Sequence, residues 1–267
     1  MDKNKYFEAV REYKLLAKHE VGQNFLCSLD VAQKIIETAE IKKDEKVLEI
    51  GSGAGSLSVF LTDYEAESTL VDIDEALVTK LQNDFAGYPN IHPYVQNALK
   101  MDISNFDVIV GNLPYYITSS LIEKILLEGR NCRKAVLMIQ KEAFSRLTAK
   151  VGSEDYGPLQ ILLSYVGKAK REFNVSRDCF VPAPHVDSTV FTITFNPPVS
   201  FDEAAELYAF AEAMFLYRRK TIFNNLKYWL KDAEKAKEAI LKANIDERSR
   251  PENLTLDDYL RLLAACK

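Results

Sequence analysis

The chain has 267 residues, enough for one large domain with a small companion or for two modest domains. Hydrophobic residues make up 47% and charged residues 27%, the balance of an ordinary soluble globular protein, and no apolar run reaches the length of a membrane span. The net charge of −5 and the pI of about 5.4 argue against nucleic-acid binding by bulk charge, so any such contact must rest on local basic patches.

Cys27, Cys132, Cys179 and Cys266 form no C-x-x-C pair, and His19, His92 and His185 lie far apart. That spacing argues against a metal site and a disulfide framework and fits a reducing cytoplasm. Met1 to Lys5 leads into no apolar core, so no secretory signal is expected.

In chain order, Val31, Ile35, Ile36 and Ala39 recur at helical spacing, with Asp30 as the expected N-cap. Strands and helices then alternate. Strands are expected at 46–50, 69–73, 91–95, 106–110 and 135–139, and helices at 56–64, 75–85 and 119–127. This alternation predicts a mostly parallel sheet with helices on both faces. Residues 165–175 and 188–195 read as two long strands joined through Val181-Pro182-Ala183-Pro184, able to pair antiparallel at one sheet edge. Asn196 to Ser200 reads as a linker, with a domain boundary at 197. Beyond it helices are expected at 203–216, 220–230, 235–243 and 256–265, the last capped by Thr255.

Glu49-Ile50-Gly51-Ser52-Gly53-Ala54-Gly55 sits at a strand-to-helix junction, where glycine permits positive φ and close backbone approach to a ligand. Asp72 ends the next strand about 20 residues on, where an acid holds ribose hydroxyls. The glycine pattern is G-x-G-x-G rather than the dinucleotide G-x-G-x-x-G/A, because Ser56 follows Gly55. It favours S-adenosylmethionine over a nicotinamide cofactor. Asn97, after the third strand, is placed to touch the adenine ring of that cofactor.

Asn112-Leu113-Pro114-Tyr115 follows the apolar run Val108-Ile109-Val110. Such a tetrapeptide suits methylation of an exocyclic amino group. The Asn112 side-chain oxygen and a neighbouring carbonyl accept from the base NH2, Pro114 restricts Leu113, and Tyr115 offers a ring for stacking an extracted base. Basic clusters that a nucleic acid could use are Arg218-Arg219-Lys220 with Lys227, Arg130/Arg133/Lys134, Lys141/Arg146/Lys150 and Lys168/Lys170/Arg171. For any single cluster a solvated face is the favoured reading.

Taken together, the chain resembles the ribosomal RNA adenine N6,N6-dimethyltransferase family. The resemblance rests on Gly22 to Leu26, Glu49 to Gly55, Asp72-Ile73-Asp74, Asn112 to Ile117, Gln140-Lys141-Glu142, Tyr156 to Leu159 and Phe180 to Ser188. Phe215 to Leu226 looks like the branch that modifies small-subunit (16S) rRNA, and the branch acting on large-subunit rRNA is not expected to carry it. The resemblance implies a Rossmann-like α/β fold of the class I methyltransferases with a seven-stranded sheet over residues 1–197. It implies a small all-helical rRNA-binding domain over 198–267. By the same resemblance Asn24, Leu26, Gly51, Gly53, Asp72, Asn97 and Asn112 hold S-adenosylmethionine. Asn112, Leu113, Pro114 and Tyr115 hold the adenine, Phe180 closes over it, and Arg218, Arg219, Lys220 and Lys227 contact rRNA phosphates. A cytoplasmic, metal-free monomer working on the small ribosomal subunit, without a membrane, is expected.

The sequence departs from the family pattern in places. Ser52 and Ala54 stand where the family usually has Pro and a bulkier residue, Asp72 replaces Glu, Asn97 replaces Asp, and Tyr116 stands where Asn is common. Weaker cofactor affinity is the expected result of the Asp72 and Asn97 changes. The competing readings are a non-catalytic ribosome-assembly factor, a methyltransferase of large-subunit rRNA or DNA, and a nicotinamide oxidoreductase.

Overall fold

The computed structural model describes residues 1–12, 23–196 and 200–267. His19, Gly22 at the head of the 22–26 motif, and Pro197 to Val199 of the expected linker lie outside the described residues. The chain divides into two compact units. The first comprises Met1–Phe144 and Ala169–Phe195, and the second Ser145–Lys168 and Asn196–Lys267.

The first unit is built on helices α1 (Lys3–Glu12), α2 (Leu29–Ala39), α3 (Ser58–Leu61), α4 (Glu75–Asp84) and α5 (Thr118–Glu128). Its main sheet comprises β2 (Lys46–Ile50), β3 (Glu67–Asp72), β4 (Ile91–Val95), β5 (Val108–Asn112), β6 (Lys134–Gln140), β7 (Gly167–Val175) and β9 (Ser188–Phe195), in the order β4-β3-β2-β5-β6-β9-β7. The pairs β4–β3, β3–β2, β2–β5 and β5–β6 are parallel, and β6–β9 is antiparallel. Val108–Ile109–Val110 and Ala135 to Ile139 are buried on both faces. That is why these strands read as unbroken apolar runs rather than alternating ones. From β2 the chain first builds outward through β3 and β4, then crosses to β5 on the other side. The carboxyl ends of β2 and β5 therefore part at a topological switch point, where open α/β sheets bind ligands.

Several local expectations are corrected. The strand expected at 106–110 is Val108–Asn112, so Asn112 is itself a strand residue, in register with Met138. The helix expected over 56–64 is α-helical only at Ser58–Leu61. Ser28, not Asp30, holds the N-cap position of α2, and Asp30 lies in its first turn, where a negative charge favours the helix dipole. The strand expected from Tyr165 begins at Gly167, and Tyr165 and Val166 instead end helix α7 (Pro158–Val166), a helix the sequence reading did not assign. Pro158 opens it, the Gln160 side chain accepts from the Gly157 amide at 2.8 Å, and Ile161, Leu162 and Val166 are buried. Helix α1 buries Phe7 and Val10, a stripe too short to read from the sequence. A second, two-stranded sheet pairs β1 (Phe25–Leu26) with β8 (Phe180–Val181), antiparallel.

The second unit is helical. Helix α6 (Lys141–Leu147) runs into it, and α7 is followed by α8 (Phe201–Phe215), α9 (Ile222–Leu230), α10 (Ala233–Lys242) and α11 (Leu256–Ala265). Ser200, Thr221, Asp232 and Thr255 cap α8 to α11, each accepting a backbone N–H from the first turn. Tyr156 and Ile161 share one core with Phe210, Leu226, Ile240 and Tyr259, which is why Ser145–Lys168 groups with this unit and not with the sheet as a single cut at 197 supposed. Because Thr221 is the cap, α9 starts two residues after Lys220, and Arg218 to Lys220 form a turn. Among the described residues no helix is long and apolar enough to cross a membrane.

Candidate active site

A cleft opens at the carboxyl ends of β2, β3 and β5. Its empty volume, open mouth included, is about 770 Å³, and it is lined from both sides of the switch point by Gly51, Gly53, Asp72, Asn112, Leu113, Pro114 and Tyr115.

The glycine loop forms its floor. Gly51 has φ +72°, and a Cβ there would stand 3.3 Å from the Asn112 carbonyl oxygen; Gly53 has φ +51°. Both conformations favour glycine. The Gly53 amide donates to Asp72 Oδ2 at 2.9 Å and the Asp74 amide to Oδ1 at 3.0 Å. The Asp72 carboxylate is thereby fixed at the end of β3 with lone pairs to spare for hydroxyls. Burial raises its pKa, and the bonds from the Asp74 and Gly53 amides oppose the rise.

Glu49, one residue before the end of β2, also lines the cleft, yet it is only 1% exposed. Burial pushes its pKa up to about 8 against the opposing hydrogen bond from Ser58, with Asp72 adding like-charge repulsion. The Ser58 hydroxyl donates to Glu49 Oε2 at 2.7 Å.

Asn112 carries the least ordinary polar atom of the site. Its Nδ2 donates to the Asn24 carbonyl at 3.2 Å, which orients the carboxamide. Its Oδ1 is buried and has no hydrogen-bond partner among the described residues. An acceptor left in that condition costs on the order of 1–3 kcal/mol, and a ligand amino group would relieve it. Beyond Asn112, the Leu113 amide donates to the Met138 carbonyl at 3.0 Å. The Pro114 carbonyl accepts from the Thr118 hydroxyl at 3.0 Å, which ties the turn to α5. The Tyr115 hydroxyl lies 3.3 Å from Ser188 Oγ, and burial raises its pKa.

Asn24 to Leu26 cross the cleft as a strap. The Leu26 carbonyl accepts from Ser56 Oγ at 2.6 Å, and Leu26 pairs with Phe180. Phe180 does not line the cleft: at 2% exposure it is packed in the core with Leu26, Ile36 and Val175. Its ring anchors the strap rather than offering a face to a base. Asn97 is likewise outside the cleft lining, and its Oδ1 accepts from the Leu99 amide at 2.9 Å. In the helical unit Arg218 donates to the Glu154 carbonyl and, at 3.1 Å, to the Tyr156 carbonyl, whereas Arg219, Lys220 and Lys227 are exposed.

The cleft also recruits Phe25, Glu49, Ser52, Ile73 and Tyr116, which sequence reasoning left unassigned. Phe25, Ser52, Ile73 and Tyr116 each adjoin an assigned residue in the chain and Glu49 lies two positions before Gly51, and that proximity was the available signal.

A glycine cradle, an acid at the end of β3 and an orphan acceptor at the end of β5 fit a methyl donor of the S-adenosylmethionine type. The fold and this site define a Rossmann-like methyltransferase. A solved dimethyladenosine transferase from Plasmodium falciparum matches with a TM-score of 0.73 and 28% identity, covering 87% of this chain and 94% of that one. The 23S rRNA methyltransferase ErmE matches with a TM-score of 0.65 and 25% identity, covering 90% and 98%. Proteins called ribosomal RNA small subunit methyltransferase A are 36% identical over 266 residues. The one from Malacoplasma penetrans covers 98% of this chain and 96% of its own, and that from Streptococcus gordonii 94% and 92%. The family model described as ribosomal RNA adenine dimethylase matches residues 15–267. The chain belongs to the ribosomal RNA adenine dimethylase family.

Proposed function

We propose that this enzyme transfers methyl groups from S-adenosylmethionine to N6 of adenines near the 3′ end of small-subunit (16S) rRNA, giving N6,N6-dimethyladenosine during ribosome biogenesis in the cytoplasm. The observation that carries this reading is the buried Asn112 Oδ1 at the end of β5, without a hydrogen-bond partner among the described residues and inside the cleft that Gly51 and Asp72 floor. The small-subunit assignment is supported by the names of the relatives and by the Phe215–Leu226 segment.

When bound, S-adenosylmethionine supplies a sulfonium-activated methyl, so the task left to the protein is positioning. Asp72 holds ribose hydroxyls, and Asn24, Leu26, Gly51 and Gly53 form the walls. Asn112 Oδ1 and the Leu113 carbonyl accept the two hydrogens of the adenine NH2. Drawing them out of the ring plane exposes a lone pair otherwise delocalised into the ring. The nucleophile must be held within about 3–3.5 Å of its target and in line, and Tyr115 provides the stacking wall that fixes the ring. The proton leaves after transfer, and the same residues serve the second round. In the helical unit Arg219, Lys220 and Lys227 contact rRNA phosphates, and Arg218 orients their turn through its bonds to the Glu154 and Tyr156 carbonyls.

The test is incubation of the purified protein with labelled S-adenosylmethionine and small subunits lacking adenine dimethylation, followed by mapping. Label on adenines near the 3′ end is the expected result. No label on the small subunits with cofactor binding intact refutes the substrate assignment.

A further inference from the structure

Three aromatic side chains line the cleft, and they differ sharply in what they can offer a nucleobase. Phe25 is 5% exposed and belongs to the strap. Tyr115 is half-buried, with its hydroxyl beside Ser188. Tyr116 is 59% exposed, and its side chain makes no hydrogen bond and no ring contact with any described residue. An aromatic ring left this exposed at the rim of a cleft forgoes the burial that would ordinarily stabilise it. Phe180, the other ring expected to face the base, is locked in the core and paired with Leu26.

Building on the rRNA methyltransferase reading above, we propose that Tyr116 is a stacking platform for the nucleobase next to the target adenine, holding the substrate strand at the cleft mouth while Tyr115 holds the target deeper in. Chain continuity supports this division. Tyr115 and Tyr116 are successive residues of one 3-10 turn (Tyr115–Ile117), braced by Pro114 carbonyl bonds from the Ile117 amide and the Thr118 hydroxyl. A ribonucleotide strand entering the cleft passes the exposed ring before it reaches the enclosed one. Enzymes that extrude a base take part of their selectivity from the flanking nucleotides, and stacking is indifferent to base identity because every base has a π-face.

The experiment compares wild type, Y116A and Y116F on small subunits lacking dimethylation, and on the same subunits made abasic at the nucleotide flanking the target. Affinity for S-adenosylhomocysteine is measured by calorimetry alongside. Y116A is expected to lower kcat/KM roughly 5- to 150-fold, the range of one lost base stack, mostly through KM. Y116F should restore it, cofactor affinity should stay constant, and the penalty should vanish on the abasic subunits. Y116A within about twofold of wild type, an equal loss of cofactor affinity, or a penalty undiminished on abasic subunits overturns the inference. Wild-type protein that leaves small subunits unlabelled instead overturns the substrate reading on which it rests.

Discussion

Glu49 is a carboxyl enclosed in the first unit, and replacing it with Gln should stabilise that unit in a pH-dependent way. Its pKa rises from 4.5 to about 8 in the fold, through burial first. At about 1.4 kcal/mol per pKa unit, the shift is worth roughly 5 kcal/mol in full. A folded-state pKa above the unfolded one means that the native protein binds the proton more tightly. Between about pH 4.5 and about pH 8 folding therefore takes up a proton, and stability falls as pH rises through that window. Glu49→Gln keeps an acceptor for the Ser58 hydroxyl and has no proton to lose. Its advantage over wild type should be about 1 kcal/mol at pH 5, roughly 3 kcal/mol at pH 7 and about 5 kcal/mol at pH 9. Urea unfolding followed by far-ultraviolet circular dichroism at several pH values measures this. Emission from Trp229, the chain's single tryptophan, tracks the helical unit separately. A difference between variant and wild type that stays constant across this pH range would show that Glu49 is not held neutral, and would refute the argument.

Asn112→Ala should fold and still bind rRNA, but lose on the order of a hundredfold or more in kcat at saturating cofactor, by analogy with removal of one preorganised polar partner; near-normal transfer would sink the proposed role of its Oδ1. Phe180→Ala should destabilise the first unit by about 3–5 kcal/mol in urea unfolding, whereas Phe180→Leu should keep near-normal turnover. A folded Leu variant with little activity would return the ring to a part in base recognition. Neutralising Arg219, Lys220 and Lys227 together should lower the slope of log affinity against log salt by about two to three units, measured on small subunits. An unchanged slope would leave these cations as a solvated face.

The parallel sheet was legible because strands covered on both faces must be apolar throughout, as Val108–Ile109–Val110 and Ala135 to Ile139 are. The glycine loop, Asp72 and Asn112 were legible because the carboxyl end of a parallel strand is where such a sheet places its ligand groups, and each sits at such an end. Helix α7 went unassigned, and its last two residues were read into the following strand, because a continuous apolar run does not separate a buried helix from a strand; only packing against the helical core decided between them. The sequence by itself thus determined the sheet, the glycine loop at the end of β2 and the place of Asn112 at the end of β5, all of which depend on local pattern and on strand ends. The tertiary structure decided which aromatic faces are free. Pairing of β1 with β8 draws Phe180 into the core, and the turn after Pro114 leaves Tyr116 in the open. Burial of a single side chain is set by residues distant in the chain, and no local pattern records it.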